Sequence, residues 1–203
     1  MKEHLFESLE EAGLFLKESI QNDLQRQINI YDQAVLILPG GNNIRSFFPY
    51  LIDLDVDWKR VAIGLSDERC VSLEDSMSNE RQLRECFLSH LPKYNYHPLN
   101  QDFVHKIQEI APITLLSMGI DGHVASLFSE ESSEWGAMGV SLYKTKKQNP
   151  NRVGLSKEAL LLSDKIYILA RGPERLERLN EIKEASFYLG DVYEKAVMIK
   201  VLK

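Results

Sequence analysis

The chain has 203 residues, of which 44% are hydrophobic and 27% charged, and its formal net charge is −6. A modestly acidic chain is a poor general ligand for nucleic acid or anionic membranes, because both require clustered Lys and Arg. Its two cysteines, Cys70 and Cys86, are too few for a disulfide framework or a four-ligand zinc site. We therefore expect a cytoplasmic protein with one domain over residues 1–203, without a signal peptide or a membrane span.

Helical and extended patterns alternate along the chain. Residues 5–28 place apolar side chains three or four positions apart, which predicts an amphipathic helix whose inner face includes Leu5. Five short apolar runs, rich in β-branched residues, predict strands that are buried on both faces of a parallel sheet. These runs are Ala34–Leu38, Val61–Leu65, Ile113–Met118, Lys165–Ala170 and Ala196–Leu202.

Helices are predicted between several of these runs. Ser78 or Asn79 can cap a helix that has an apolar inner face. That face would hold Leu83, Phe87 and Leu91. Pro173 would begin a helix that reaches about Tyr188, whereas Glu130–Asn151 is irregular and is predicted to be a loop or lid. The alternation predicts a single-domain, doubly wound α/β fold, with a mostly parallel sheet and helices on both faces.

Polar segments follow four of the predicted strands. They are Pro39-Gly40-Gly41-Asn42-Asn43, Ser66-Asp67-Glu68-Arg69, Gly119-Ile120-Asp121-Gly122-His123 and Arg171-Gly172-Pro173-Glu174-Arg175. If the strands are parallel, all four segments project from the same edge of the sheet. Open α/β sheets bind ligands at that edge, so the sequence predicts a site there.

The first two segments carry groups suited to an anion. Gly40 and Gly41 allow close approach of the backbone, and their amides can point at an anion beside a helix start. Asn42 and Asn43 can add donors. An ordinary strand-to-helix turn is the alternative interpretation.

In the second segment, Arg69 offers a planar guanidinium for bidentate contact with phosphate. Asp67 stands two residues earlier and is a further candidate for the substrate-binding site. A surface cluster of salt bridges is the alternative interpretation of this segment.

The third segment holds the candidates for catalysis. His123 can act as a general base, because histidine is the residue type that ordinarily changes charge near neutral pH, and Asp121 can orient its ring and stabilise its cation. Gly122 would allow the tight turn that presents both side chains. A capping Asp beside an idle His is the alternative. The sequence offers no second His or Cys pair with metal-ligand spacing, so we do not expect a metal site.

Four blocks of sequence resemble, in order, the 6-phosphogluconolactonase family, which shares its fold with glucosamine-6-phosphate isomerases and deaminases. The blocks are Ala34–Asn43, Trp58–Val71 with Ser78-Asn79, Leu115–Phe128 and Arg152–Arg175. The third block, LLSMGIDGHVASLF, is similar almost throughout to the family's Leu-Gly-x-Gly-x-Asp-Gly-His-x-Ala-Ser-Leu-Phe signature. The resemblance implies a glucosamine-6-phosphate isomerase-like fold.

The resemblance also implies hydrolysis of a sugar-phosphate lactone, 6-phospho-D-glucono-1,5-lactone, to 6-phosphogluconate in the oxidative pentose phosphate pathway. His123 would be the general base, with Asp121 orienting it. Arg69 and Arg175 would hold the 6-phosphate, and Arg152 is a further candidate. No metal or organic cofactor is expected, since a δ-lactone is already electrophilic. The sequence leaves the oligomeric state open.

Local departures from the family pattern keep two alternatives open. Pro39 and Asn42–Ile44 replace the usual Ser and Ser-Thr-Pro, and the segment from Phe128 to Arg152 is shorter than is common, so a non-catalytic sugar-phosphate-binding module is one alternative. Glucosamine-6-phosphate deaminase is the other. Arg69 stands where deaminases usually have Tyr, and Val124–Phe128 differs from their Ile-Gly-Phe-Asn-Glu run. Both differences favour the lactonase branch.

Overall fold

The computed structural model describes residues 2–128, 139–143, 150–184 and 189–202. Its strands are β1 (Lys2–Phe6), β2 (Ala34–Leu38), β3 (Val61–Leu65), β4 (Asp67–Arg69), β5 (Asn95–Tyr96), β6 (Ile113–Ser117), β7 (Val140–Tyr143), β8 (Arg152–Leu155), β9 (Lys165–Arg171) and β10 (Val197–Val201). Its helices are α1 (Leu9–Tyr31), α2 (Asn42–Arg45), α3 (Phe48–Ile52), α4 (Asn79–Cys86), α5 (Gln101–Glu109), α6 (Lys157–Leu161), α7 (Pro173–Glu184) and α8 (Gly190–Lys195).

A parallel sheet lies at the centre of the fold. Within the described residues it has seven strands in the order β1-β10-β9-β6-β2-β3-β5, and each neighbouring pair is parallel. One apolar layer packs α1, α3 and α4 against one face of the sheet, and a second packs α5, α6, α7 and α8 against the other. The predicted doubly wound α/β fold is confirmed. The strands are continuously apolar because both of their faces are covered.

The first helix begins later than the apolar spacing predicted. Leu5 lies in β1, an edge strand that pairs with β10, so its assignment to the helical face was wrong. The Ser8 side chain accepts a hydrogen bond from the backbone N of Glu11 and caps α1, which starts at Leu9. The rest of the predicted inner face is confirmed, and its buried residues are Ala12, Leu16, Ile20, Leu24 and Ile28.

A second sheet was not predicted. Asp67–Arg69, which we expected to be a loop, forms β4, which pairs antiparallel with β8, and β8 pairs with β7. Part of the expected loop Glu130–Asn151 is therefore a strand, Val140–Tyr143. Residues 130–138 and 144–149 of that segment lie outside the described residues. The pairing places Arg152 opposite Arg69, so the small sheet brings distant arginines together at the end of β3.

The other helix predictions are largely confirmed. The Ser78 side chain caps α4 by accepting from the backbone N of Arg81. Because α4 ends at Cys86, Phe87 and Leu91 lie beyond it, although both are buried. Pro173 begins α7, and the expected extension to about Tyr188 lies outside the described residues. In the described ranges, no helix combines the length and apolarity that a membrane span requires.

Candidate active site

Segments from several strands meet at the carboxyl edge of the parallel sheet. They surround a pocket of about 290 Å³. The pocket brings together most of the site residues predicted from the sequence. These lining residues are Gly40, Gly41, Asn42, Asn43, Asp67, Arg69, His123, Arg152 and Arg175. The tenth predicted residue, Asp121, contacts His123.

His123 and Asp121 form a hydrogen-bonded pair at the end of β6. The Nδ1 atom of His123 lies 2.5 Å from Oδ1 of Asp121, which also accepts from the backbone N of His123 at 3.3 Å. Burial raises the pKa of the Asp121 carboxyl, but the hydrogen bond and charge of His123 lower it by a larger amount. The resulting pKa is about 2. Asp121 is therefore a carboxylate at neutral pH. With Nδ1 held by this carboxylate, Nε2 is the ring nitrogen available to take a proton.

The His123 ring lies directly against a glycine. A Cβ atom at Gly119 would be 2.3 Å from Cε1 of His123 and 2.8 Å from Oδ1 of Asp121. Gly122 has φ +89°, a left-handed conformation that glycine adopts readily. The tight turn predicted for Gly122 is present, and the close packing on Gly119 is an additional requirement that the sequence did not reveal.

The buried carboxylate of Asp67 binds neighbouring protein groups. Its Oδ1 accepts from the hydroxyl of Ser66 at 3.1 Å. Its Oδ2 accepts from Ser126 at 2.8 Å and from Nη1 of Arg152 at 3.4 Å. Asp67 is on the pocket wall, but its oxygens serve to orient Arg152. A carboxylate repels an anionic ligand, and its ion pair with Arg152 holds a guanidinium at the pocket instead.

Glu68 has a structural role that sequence reasoning missed. Its carboxylate accepts from the backbone N of Asn79 at 2.7 Å and of Glu80 at 2.6 Å, and from the Ser78 hydroxyl at 3.0 Å. Negative charge is favourable at a helix N-terminus, where the backbone N–H groups lack helical partners. Glu68 therefore fixes the first turn of α4 beside the glycine segment that follows β2.

That first turn contacts both glycines. A Cβ at Gly40 would lie 1.9 Å from Cγ of Asn79, so a larger residue at this position must displace the Asn79 side chain. The backbone N of Gly41 donates to Oε1 of Gln82 at 2.7 Å. The Gly41 amide, which the sequence suggested as an anion donor, is thus engaged by Gln82 in this structure.

Three arginines make the pocket cationic. Arg175 is anchored by the bond from its Nε to the carbonyl oxygen of Met118, at 2.8 Å. Arg69 donates from Nη1 to the carbonyl oxygen of Met77 at 2.7 Å. Burial, with the like charge of Arg152, lowers the pKa of Arg69. An anion in the pocket would offset the desolvation of these guanidinium groups and accept charge-assisted hydrogen bonds from them.

Two buried polar atoms on the pocket wall have no hydrogen-bond partner among the described residues. They are Nε of Arg69 and Oδ1 of Asn79. Buried polar atoms are normally satisfied, so these two atoms are exceptions among the residues that line the pocket. In the same described ranges, no three His, Cys, Asp or Glu side chains cluster as metal ligands.

The chain is similar to known proteins over most of its length. Residues 7–188 match the sequence profile of the glucosamine-6-phosphate isomerases/6-phosphogluconolactonase family. A 6-phosphogluconolactonase from Thermotoga maritima is 30% identical over 182 residues, which cover 83% of this chain and 83% of that protein.

Solved structures share the fold. A 6-phosphogluconolactonase from Shewanella baltica superposes with a TM-score of 0.89 at 23% identity, over 100% of this chain and 98% of that one. A monomeric glucosamine-6-phosphate deaminase superposes with a TM-score of 0.83 at 16% identity, over 100% of this chain and 98% of that one. The fold alone therefore does not separate the two activities. The match over residues 7–188 shows that the chain belongs to the glucosamine-6-phosphate isomerase/6-phosphogluconolactonase family.

Proposed function

We propose that this protein is a 6-phosphogluconolactonase, which hydrolyses 6-phospho-D-glucono-1,5-lactone to 6-phosphogluconate. The observation that carries the proposal is the Asp121–His123 pair at the border of a pocket lined by Arg69, Arg152 and Arg175. A general base beside a cationic pocket suits an electrophilic carbonyl compound that carries a phosphate. The 6-phosphogluconolactonase from Thermotoga maritima, which matches most of this chain, supports the same activity.

The reaction needs one water and one base. Nε2 of neutral His123 takes a proton from the water, whose oxygen adds to the lactone carbonyl carbon and gives a tetrahedral oxyanion. As the oxyanion collapses, the bond from this carbon to the ring oxygen breaks. The imidazolium of His123 gives its proton to that ring oxygen, and the new carboxylic acid loses a proton to solvent. Asp121 keeps the ring oriented and stabilises the cation between the two transfers.

Donors for the substrate oxygens are the second requirement. Several backbone amides of the glycine-containing segments donate within the protein: Gly41 to Gln82, Gly119 to the carbonyl oxygen of His123, and Gly122 to that of Gly119. The guanidinium groups are therefore our proposed donors. Arg69 and Arg175 hold the 6-phosphate in this proposal, and Arg152, oriented by Asp67, adds positive charge to the same pocket.

The proposed setting is the oxidative pentose phosphate pathway in the cytoplasm, with residues 1–203 acting as one domain. The free thiols of Cys70 and Cys86 suit a reducing compartment. The proposed partner is the small sugar-phosphate lactone. The proposal includes no cofactor. It also includes no binding of nucleic acid or membranes.

Glucosamine-6-phosphate deaminase is the closest alternative. Its chemistry moves protons between C1 and C2 of the sugar and calls for further acid–base groups after His123. The residues there are apolar or engaged: Val124 and Leu127 are buried, and Ser126 donates to Asp67. This local chemistry favours hydrolysis over isomerisation.

The two activities are separated by a paired assay. Purified protein should accelerate the disappearance of 6-phosphogluconolactone above the spontaneous rate and release no ammonia from glucosamine 6-phosphate. Ammonia release at an enzymatic rate would overturn the lactonase. Tight binding of 6-phosphogluconate without any rate above the blank would instead indicate a binding module, with the altered Pro39–Ile44 segment as its cause.

A further inference from the structure

Two side chains from the C-terminal helices hold carbonyl groups of the segment that carries the Asp121–His123 pair. The Nε of Arg178, in α7, donates to the carbonyl oxygen of Asp121 at 3.0 Å. The hydroxyl of Tyr193, in α8, donates to the carbonyl oxygen of Gly122 at 2.8 Å. We call Arg178 and Tyr193 the carbonyl clamp. Neither residue lines the pocket, and neither belongs to the four polar segments that follow the predicted strands.

The clamp completes the fixing of two consecutive peptide groups. In the peptide joining Gly122 to His123, the oxygen accepts from Tyr193 and the N–H donates to Oδ1 of Asp121. In the peptide joining Asp121 to Gly122, the oxygen accepts from Arg178 and the N–H donates to the carbonyl oxygen of Gly119. Both peptide planes are therefore held at both ends, directly before the backbone reaches His123.

Tyr193 is well suited to this task. Its side chain is buried, only 3% exposed, so little solvent competes for its hydroxyl. Burial and the charge of Asp121 raise the pKa of Tyr193, so the phenol stays protonated and remains a donor around neutral pH. The turn at Gly122 is also closely packed, since a Cβ at Gly122 would be 2.5 Å from Cδ1 of Ile182. Loss of one anchor would leave the left-handed turn at Gly122 less constrained.

We propose that the carbonyl clamp, and Tyr193 above all, positions the His123 ring for proton transfer by fixing the peptide that precedes it. The proposal rests on the proposed lactonase activity for its kinetic test. Arg178 and Tyr193 are positioning residues, since they act on the reaction through His123. Because a misplacement of about 1 Å can cost about 100-fold in rate, we expect a partial loss of turnover when the anchor is removed.

The test compares two tyrosine substitutions. Tyr193→Phe removes the hydroxyl that holds Gly122. Tyr167→Phe is the matched control, because Tyr167 is also buried and its hydroxyl donates to Asp23 at 2.7 Å, away from the pocket. We expect Tyr193→Phe to lower kcat about 10- to 100-fold with KM changed less than about twofold, and Tyr167→Phe to leave both constants near those of the parent. Equal effects of the two substitutions would overturn the clamp.

A double variant tests the route of action. If Tyr193 acts through His123, Tyr193→Phe should cause no further loss in a His123→Ala background. A further loss of the same size would mean that Tyr193 acts elsewhere and would overturn the proposal. Should Tyr193→Phe fail to fold, Arg178→Gln replaces it, since Arg178 is partly exposed and its loss frees the neighbouring peptide. The same fall in kcat at constant KM is expected, and an unchanged kcat would overturn the clamp.

A spectroscopic measurement separates this proposal from the activity itself. The imidazole nitrogen signals of His123, assigned by their absence in His123→Ala, report the ring's hydrogen bonding in nitrogen-15 NMR spectra without any turnover. We expect them to shift or broaden in Tyr193→Phe but not in Tyr167→Phe. Unchanged signals in Tyr193→Phe would overturn the clamp, whereas shifted signals in a protein without lactonase activity would uphold the clamp and reject the proposed function.

Discussion

Adding one methyl group at Gly119 should displace the proposed general base. The new Cβ would lie 2.3 Å from Cε1 and 2.4 Å from Nδ1 of His123. Carbon atoms pack at about 3.5–4.0 Å, so the ring must move by about 1 Å or more. The backbone itself is not strained, since Gly119 does not have a positive φ. A displacement of about 1 Å can cost about 100-fold in rate, and overpacking of this kind destabilises a fold by about 1–3 kcal/mol.

We therefore expect Gly119→Ala to lower kcat about 100-fold while the protein stays folded. Lactone disappearance is measured rapidly after mixing, with subtraction of the spontaneous rate, and urea unfolding reports stability. Gly190→Ala is the control, because a Cβ at this first residue of α8 would meet no described atom within 4 Å. Near-parental turnover in Gly119→Ala would refute the placement of the His123 ring or its role as the base.

Two further predictions concern the phosphate and the Asp121–His123 pair. Arg69→Ala and Arg175→Ala should each raise KM for the phosphorylated lactone about 10- to 100-fold, since charge-assisted hydrogen bonds contribute about 1.5–3 kcal/mol. Unphosphorylated gluconolactone should be much less affected, and equal losses on both substrates would contradict phosphate binding. The folded pKa of Asp121, about 2, lies below its ordinary value of 3.8, so its ionised form stabilises the fold above about pH 4 and this contribution is lost as pH falls toward 2. Urea unfolding of the parent and Asp121→Asn should differ at pH 6 and converge at low pH; a difference independent of pH would contradict the ion pair.

The central sheet could be predicted because strands that are buried on both faces have continuously apolar sequences. Ala34–Leu38 and Val61–Leu65 are continuously apolar, and both are fully buried strands. The location of the pocket followed from the same pattern, because parallel strands end at a common edge. Asp121 and His123 are two residues apart, so their contact depends on one local turn at Gly122, and that turn could be anticipated.

The contacts that escaped prediction join parts of the chain that are distant in sequence. Strand β4 has three charged residues and no apolar alternation, and its pairing with β8 crosses more than 80 positions, as in the bond between Arg152 and Asp67. Tyr193 reaches Gly122 across 71 positions. A hydrogen bond between a side chain and a backbone group distant in sequence leaves no periodic pattern, so neither the clamp nor the bond from the Gly41 amide to Gln82 could be read from the sequence.

The most direct test of the account is the turnover of 6-phosphogluconolactone by the parent protein and by His123→Ala, measured against the spontaneous rate. The account predicts clear acceleration by the parent and a fall in kcat of about 10²- to 10⁴-fold in the variant, with little change in the free energy of unfolding. A parent protein no faster than the blank, or a folded His123→Ala protein with near-parental turnover, would contradict it.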